Sequence, residues 1–167
     1  MIWPAVWLVG VVLGSEEPKA ATVPEQLIET VEVRLEANEP DWKREGGAGR
    51  GGMYIRTWIP VKTADDPKRA RESRVTVSVT QWPSREVASS KIAERRAGTS
   101  VPLPADVTPI GDESYRSCSR THCTLVFRAG SLEVVVTGPM GAAERFSREI
   151  TEGATEYREK SSGAEER

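Results

Sequence analysis

Cys118 and Cys123 are the two cysteines of the chain, and the segment between them, Ser119-Arg120-Thr121-His122, includes its single histidine. Three chemistries can be set against this spacing. A redox pair calls for Cys-x-x-Cys at a helix start, and neither feature is present. A zinc site could draw on Cys118, His122 and Cys123, but a fourth ligand and a second cluster are missing. The third is a disulfide across a β-hairpin. Opposed residues at non-hydrogen-bonded positions of an antiparallel ladder have Cα atoms about 4.5 Å apart, and a disulfide accepts about 4.4–6.8 Å. Thr124-Leu-Val-Phe127, a β-favouring run, follows at once. The staple is therefore preferred to free thiols. It would set hairpin register and, closing so short a loop, contribute about 2 kcal/mol in the chain-entropy picture.

The other candidates are weaker. His122 has no serine, cysteine or aspartate that spacing alone would pair with it as a nucleophile system. Carboxylates are abundant, but no pair stands out for general acid–base work. Gly47, Gly49 and Gly52 match G-x-G-x-x-G. A phosphate-binding loop of that type follows a strand and opens a helix; this one follows charged residues and precedes a strand. Lys68, Arg69, Arg71 and Arg74 form a basic run offset by Asp65, Asp66 and Glu72, and Arg50 and Arg56 could extend it. No aromatic RNA-reading motif accompanies them, and the formal net charge of −2 gives no general attraction to nucleic acid. No metal, cofactor or nucleic-acid partner is expected. Of the five tryptophans, Trp3 and Trp7 fall in an apolar leader and Trp42, Trp58 and Trp82 near strand ends or loops. Trp42 and Trp82 each adjoin a loop. They are the candidates for a ligand groove at a sheet edge, with plugs for the ends of the core as the alternative.

The elements that must position these residues follow from periodicity. Thr22-Val-Pro24-Glu25 reads as a helix start, and Leu27, Ile28, Val31 and Leu35 lie on one helical face; Val31, Val33 and Leu35 also alternate, so a strand competes there. Asn38 to Gly52 reads as an irregular loop. Met53–Pro60 reads as a strand, and a short helical turn is possible after Asp65-Asp66-Pro67. Val75, Val77 and Val79 alternate with Thr76, Ser78 and Thr80, the mark of a strand with one wet face. Ser84 then caps a helix that Gly98 stops. Val101 to Asp112 is an extended, proline-rich connector. Strands follow at about Glu113–Ser117, Cys123–Arg128 and Leu132–Thr137. A last helix from Ala142 to Arg158 carries Ala143, Phe146, Ile150, Ala154 and Tyr157 at helical spacing. One antiparallel sheet with helices mainly on one face satisfies all of this, an α+β fold. The Ser84 and Ala142 helices are expected on the same face.

The organisation is then an apolar leader at 1–14, a polar spacer at 15–21, a single domain at 22–160 and a polar tail at 161–167. The leader is uncharged and shorter than the roughly 18–20 residues of a membrane span. It fits the apolar core of a secretory signal, although no Lys or Arg precedes it and no cysteine follows it for lipid attachment. A buried N-terminal strand or helix is the competing reading.

Gly111-Asp112-Glu113-Ser114-Tyr115, then Phe127-Arg128-Ala129-Gly130, a valine-rich strand and a final amphipathic helix resemble bacterial extracytoplasmic domains of the Mog1/PsbP-like fold. The resemblance spans about Met53 to Lys160. It implies a lipoprotein- or sensor-type domain, with Gly111 and Gly130 at turns and Tyr115, Leu125, Val134 and Val136 in the sheet. It carries over no catalytic residues. The sequence thus points to an exported, periplasmic or extracellular domain that binds rather than catalyses, with an envelope protein, lipid or polymer as partner. Membrane association would come only through an uncleaved leader. The alternatives are a small envelope enzyme without a visible motif and a cytoplasmic adaptor.

Overall fold

A computed structural model of the chain describes residues 22–98 and 110–164. The leader, the spacer and most of the proline-rich connector lie outside the described residues. Helix α1 (Val23–Asn38) is followed by strands β1 (Trp42–Arg50) and β2 (Met53–Pro60), a 3₁₀ turn, helix α2 (Pro67–Ser73), strand β3 (Val75–Gln81) and helix α3 (Arg85–Ala97). Strands β4 (Glu113–Cys118), β5 (His122–Ala129) and β6 (Leu132–Pro139) lead into helix α4 (Met140–Ala164). The six strands form one antiparallel sheet in the order β1-β2-β3-β6-β5-β4. The fold is α+β.

Local signals account for most boundaries. The Asp66 carboxylate accepts from the amides of Lys68 and Arg69 and starts α2, with Pro67 in its first turn. Ser84 Oγ accepts from the Val87 amide and starts α3. In α1, Val33 is 70% exposed while Leu27, Ile28, Val31 and Leu35 are buried, so the helical period prevails over the strand alternative.

Strand β1 corrects the reading of Asn38–Gly52 as a loop. Its sequence has no apolar alternation, because all of it beyond Trp42 is exposed on the sheet's outer edge. Two local facts make it a strand. Gly51 and Gly52 both have positive φ, +57° and +80°, as the two-residue turn joining Arg50 to Met53 requires. Gly47 and Gly49 lie opposite Arg56 and Tyr54. A Cβ would come within 2.6 Å of the Arg56 guanidinium at Gly47 and of the Tyr54 ring at Gly49. The glycines therefore let large cross-strand side chains lie over the edge. They also place the G-x-G-x-x-G match in a hairpin, with no helix after it.

The main core lies between one sheet face and helices α1 and α4. Val75, Val77, Val79, Val134, Val136, Leu125 and Phe127 meet Leu27, Ile28, Val31 and Leu35 of α1 and Ala143, Phe146 and Ile150 of α4. Each fully buried aliphatic or aromatic side chain here is worth about 1.5–3 kcal/mol in removed apolar area. Arg34 of α1 clamps the helix pair by contacting Glu149, Glu152 and Glu156 of α4. Desolvation works to lower the Arg34 pKa, but the three carboxylates outweigh it and hold the pKa above its usual value.

Helix α3 departs from expectation. It packs on the opposite face, where Ile92 meets Tyr115, Val126 and Val135. The expected common face for the Ser84 and Ala142 helices is therefore wrong. The physical reason lies in β5 and β6, which are apolar on both faces at Val126 and Val135, so this end of the sheet needs cover on both sides. The one-sided β3 misled the sequence reading.

Candidate functional site

Cys118 and Cys123 are directly opposed in the β4–β5 ladder and form a disulfide, with Cα atoms 4.1 Å apart. The hairpin tip is a docking point inside the fold. The Thr121 carbonyl accepts from the Met140 amide at the start of α4, and His122 Nε2 reaches the Glu72 carbonyl of α2 at 3.0 Å. With a carbonyl as partner, Nε2 is the donor, and Nδ1 lies 3.0 Å from the Thr121 hydroxyl. Both ring nitrogens are thus engaged in structure. Replacing both cysteines by alanine is expected to cost about 2 kcal/mol and keep the fold. Chemical denaturation checks this; an unfolded variant would show that the bridge does more than close a short loop.

The two candidate tryptophans are not brought together. Trp42 pairs with Pro60 at the end of the sheet where β3 begins, near Val75. Trp82 follows Gln81 at the far end of β3. Seven residues of strand, roughly 23 Å at about 3.3 Å per residue, separate the two ends. A single groove lined by both is not formed.

Trp82 belongs to a polar cluster beneath α3. Its Nε1 donates to Glu133 Oε2 at 2.9 Å, and Arg95 Nε of α3 lies 2.6 Å from Glu133 Oε1. Glu133, 1% exposed, sits opposite Arg128 across β5–β6, and Arg128 sits opposite Glu113 across β4–β5. The Arg128 guanidinium reaches Asp112 at 3.0 Å, Glu113 at 3.4 Å and the Gly130 carbonyl at 3.0 Å. Ser89 of α3 donates to Glu113 at 2.8 Å. Sequence reasoning missed this network, although a signal was available. A two-residue turn at Gly130-Ser131 makes Ala129 and Leu132 partners, and so sets Arg128 opposite Glu133 inside an apolar run.

Tyr115 borders the same region. Burial pushes its phenol pKa up; Arg95 pulls it partly back and Glu133 adds to the rise. The folded state therefore favours the neutral phenol. That contribution to stability is complete below the unfolded phenol value of about 10 and is lost as pH rises through the raised folded value. Tyr115→Phe is expected to remove this part of the alkaline loss. Denaturant melts of both proteins on either side of pH 10 give the difference; parallel losses would contradict the buried phenol.

Trp42 has a different setting. Its ring meets Phe146 edge-on at 5.2 Å between centroids, and it is half-buried. It walls a cleft of about 530 Å³ with Pro60, Val61 and Pro139, bordered by Asp41, Lys62, Ser73 and Arg145. Arg145 Nε contacts Glu39 at 2.6 Å. Among the described residues, the side chains of Asp41 and Lys62 have no ion-pair partner and the Trp42 indole N–H has no hydrogen-bond acceptor. The cleft therefore offers an aromatic wall and, at its border, one unpaired charge of each sign, and the Trp42 that lines it carries an N–H without an acceptor.

The two indoles predict opposite behaviour in a conservative swap. Trp82→Phe removes a donor from a buried carboxylate and is expected to cost about 1.5–3 kcal/mol. Trp42→Phe keeps an aromatic ring against Phe146, loses no bond, and should cost about 1 kcal/mol or less. Thermal melts of the two variants decide it, and equal losses would erase the distinction.

Three of the basic residues are drawn to carboxylates within the fold. Arg56 turns toward α1, 2.6 Å from Glu32 and over the Tyr54 ring; Arg74 pairs with Glu45, and Arg69 with Asp66. Among the described residues, no three His, Cys, Asp or Glu side chains converge as a metal site, and no helix is long and apolar enough to cross a membrane. Comparison with protein-family models, curated proteins and solved structures finds no match to this chain.

Proposed function

We propose that this chain is an exported binding domain of the bacterial cell envelope, of the Mog1/PsbP-like kind, and that it takes its ligand in the Trp42 cleft. The observation that carries the reading is the contrast between two polar sites. Glu133 and Arg128 are buried and already engaged within the fold, Glu133 by Trp82 and Arg95 and Arg128 by Asp112 and Glu113. The cleft is accessible, has the 300–1,000 Å³ scale of small-ligand sites, and keeps Trp42 Nε1, Asp41 and Lys62 unspent. Polar groups left unpaired beside an apolar wall give a ligand both area and orientation. The Cys118–Cys123 bridge supports an oxidising compartment, since structural disulfides are rare where thiols are kept reduced.

Mass spectrometry of the protein from its own host tests the location through the mature N-terminus and the thiol state; a full-length, reduced chain would count against export. Binding is tested by amide and indole NMR of the protein with a panel of saccharides, peptides and lipid headgroups. Saturable shifts at Trp42, Lys62 and Arg145 support the cleft. Shifts confined to other surfaces would reject it.

A further inference from the structure

We propose that the ligand of the Trp42 cleft is a short acidic oligosaccharide, a chain of hydroxyl-rich rings bearing carboxylates; this rests on the cleft being the binding site. The wall made by Trp42, Pro60 and Pro139 is apolar and ring-bearing. Such a wall suits the C–H face of a pyranose, which is flat and apolar while its edge is polar. The border has the complementary polarity. Asp41 is acceptor-only and calls for hydroxyl donors, whereas Lys62 and the Trp42 N–H are donor-only and call for acceptors. Glu39 already occupies one edge of the Arg145 guanidinium, so Lys62 is the cation left for a carboxylate.

Other ligand classes fit less well. A lipid chain would leave Asp41, Lys62 and the indole N–H unpaired against hydrocarbon, at a cost in desolvation. A polyphosphate has no apolar face to lay on the wall of Trp42, Pro60 and Pro139, whereas a sugar ring has one and can turn its hydroxyls to Asp41 and a carboxylate to Lys62. An extended peptide could not pair with the backbone at Val61, whose amide is already bound to the Asp41 carbonyl at 2.7 Å. At about 530 Å³ the cleft accommodates a short chain of rings rather than a single small ion.

The experiment is a titration of the disulfide-bonded protein, followed by amide and indole NMR, with four probes: trigalacturonate, maltotriose, citrate and a neutral tripeptide. Trigalacturonate is expected to shift the Trp42 indole N–H and the Lys62 amide saturably, and more tightly than maltotriose does. Lys62→Ala, an exposed change that leaves the fold alone, should weaken it about threefold to fivefold, the range for an exposed charge pair. That difference should shrink in high salt. Equal binding of citrate would overturn the proposal in favour of a plain anion site. Tighter binding of maltotriose or the tripeptide in the cleft would overturn the acidic-saccharide class and leave the cleft standing as a site. Shifts away from the cleft, or none with any probe, would overturn the cleft itself.

Discussion

Replacing Arg128 by alanine is expected to lower the melting temperature by roughly 10–20 °C, from a cost of about 3–5 kcal/mol for stripping one partner from a buried ionic cluster. The guanidinium side chain is 6% exposed and lies between Asp112 and Glu113, with Glu133 opposite it on β6. Removing it takes this cation from Asp112 and Glu113, whose side chains are 29% and 30% exposed, and leaves a void where the buried guanidinium stem packed. It also withdraws the donor to the Gly130 carbonyl, and with it one tie holding the β5–β6 turn. Arg69→Ala is the control. Its pair with Asp66 has side chains 76% and 50% exposed, and it should change the melt by less than about 1 kcal/mol. Circular dichroism melts of both variants test the claim. A similar small loss in each would show that burial does not set the value of the Arg128 cluster.

Phe146→Ala is the second large effect, at about 3–5 kcal/mol for a buried aromatic truncated to alanine. Phe146 is fully buried, and it supports two tryptophans edge-on: Trp42 at 5.2 Å and Trp58 at 5.5 Å between centroids. The first of these walls the cleft, so the substitution reaches beyond the core. Trp42 would lose the ring that holds its orientation, and binding in the cleft should weaken along with stability. Phe146→Leu fills most of the volume and separates the effects. It should recover most of the stability while restoring less of the binding, because a branched aliphatic does not reproduce the edge-on contact. Denaturant melts and the probe titration read the two quantities. Full recovery of both by leucine would mean that volume alone matters at this position.

Much of the scaffold around the cleft was legible residue by residue. The valines of β3 alternate strictly, and that period admits little else. Ser84 and Asp66-Pro67 mark helix starts by chemistry that acts within three residues. Phe146 and Ile150 recur at helical spacing in α4. Cys118 and Cys123 sit at a spacing that suits opposed positions of a hairpin, where the structure bridges them. The cleft itself was half legible. Trp42 was singled out, but so was Trp82, and nothing local ranks one loop-flanking tryptophan above another. Lys62, Arg145 and Pro139 come from three further parts of the chain, so no spacing rule connects them.

What the sequence determined by itself is therefore what local periodicity and local hydrogen bonding control: the existence of α1, α3, α4 and five of the strands, the antiparallel α+β class, and the hairpin that pairs the cysteines. The tertiary structure alone decided which face each helix covers, that the glycine-rich segment is the edge strand β1, and which tryptophan opens onto a cleft. A helix has an apolar stripe whichever side of a sheet receives it, and only the summed burial over Val126, Val135 and Tyr115 assigns α3 to its face. An edge strand gains its pairing from its neighbour's backbone, so β1 needs no apolar period of its own. Register, a property of the whole sheet, sends Trp42 and Trp82 to opposite ends, where one indole N–H is taken up by a buried carboxylate and the other stays free.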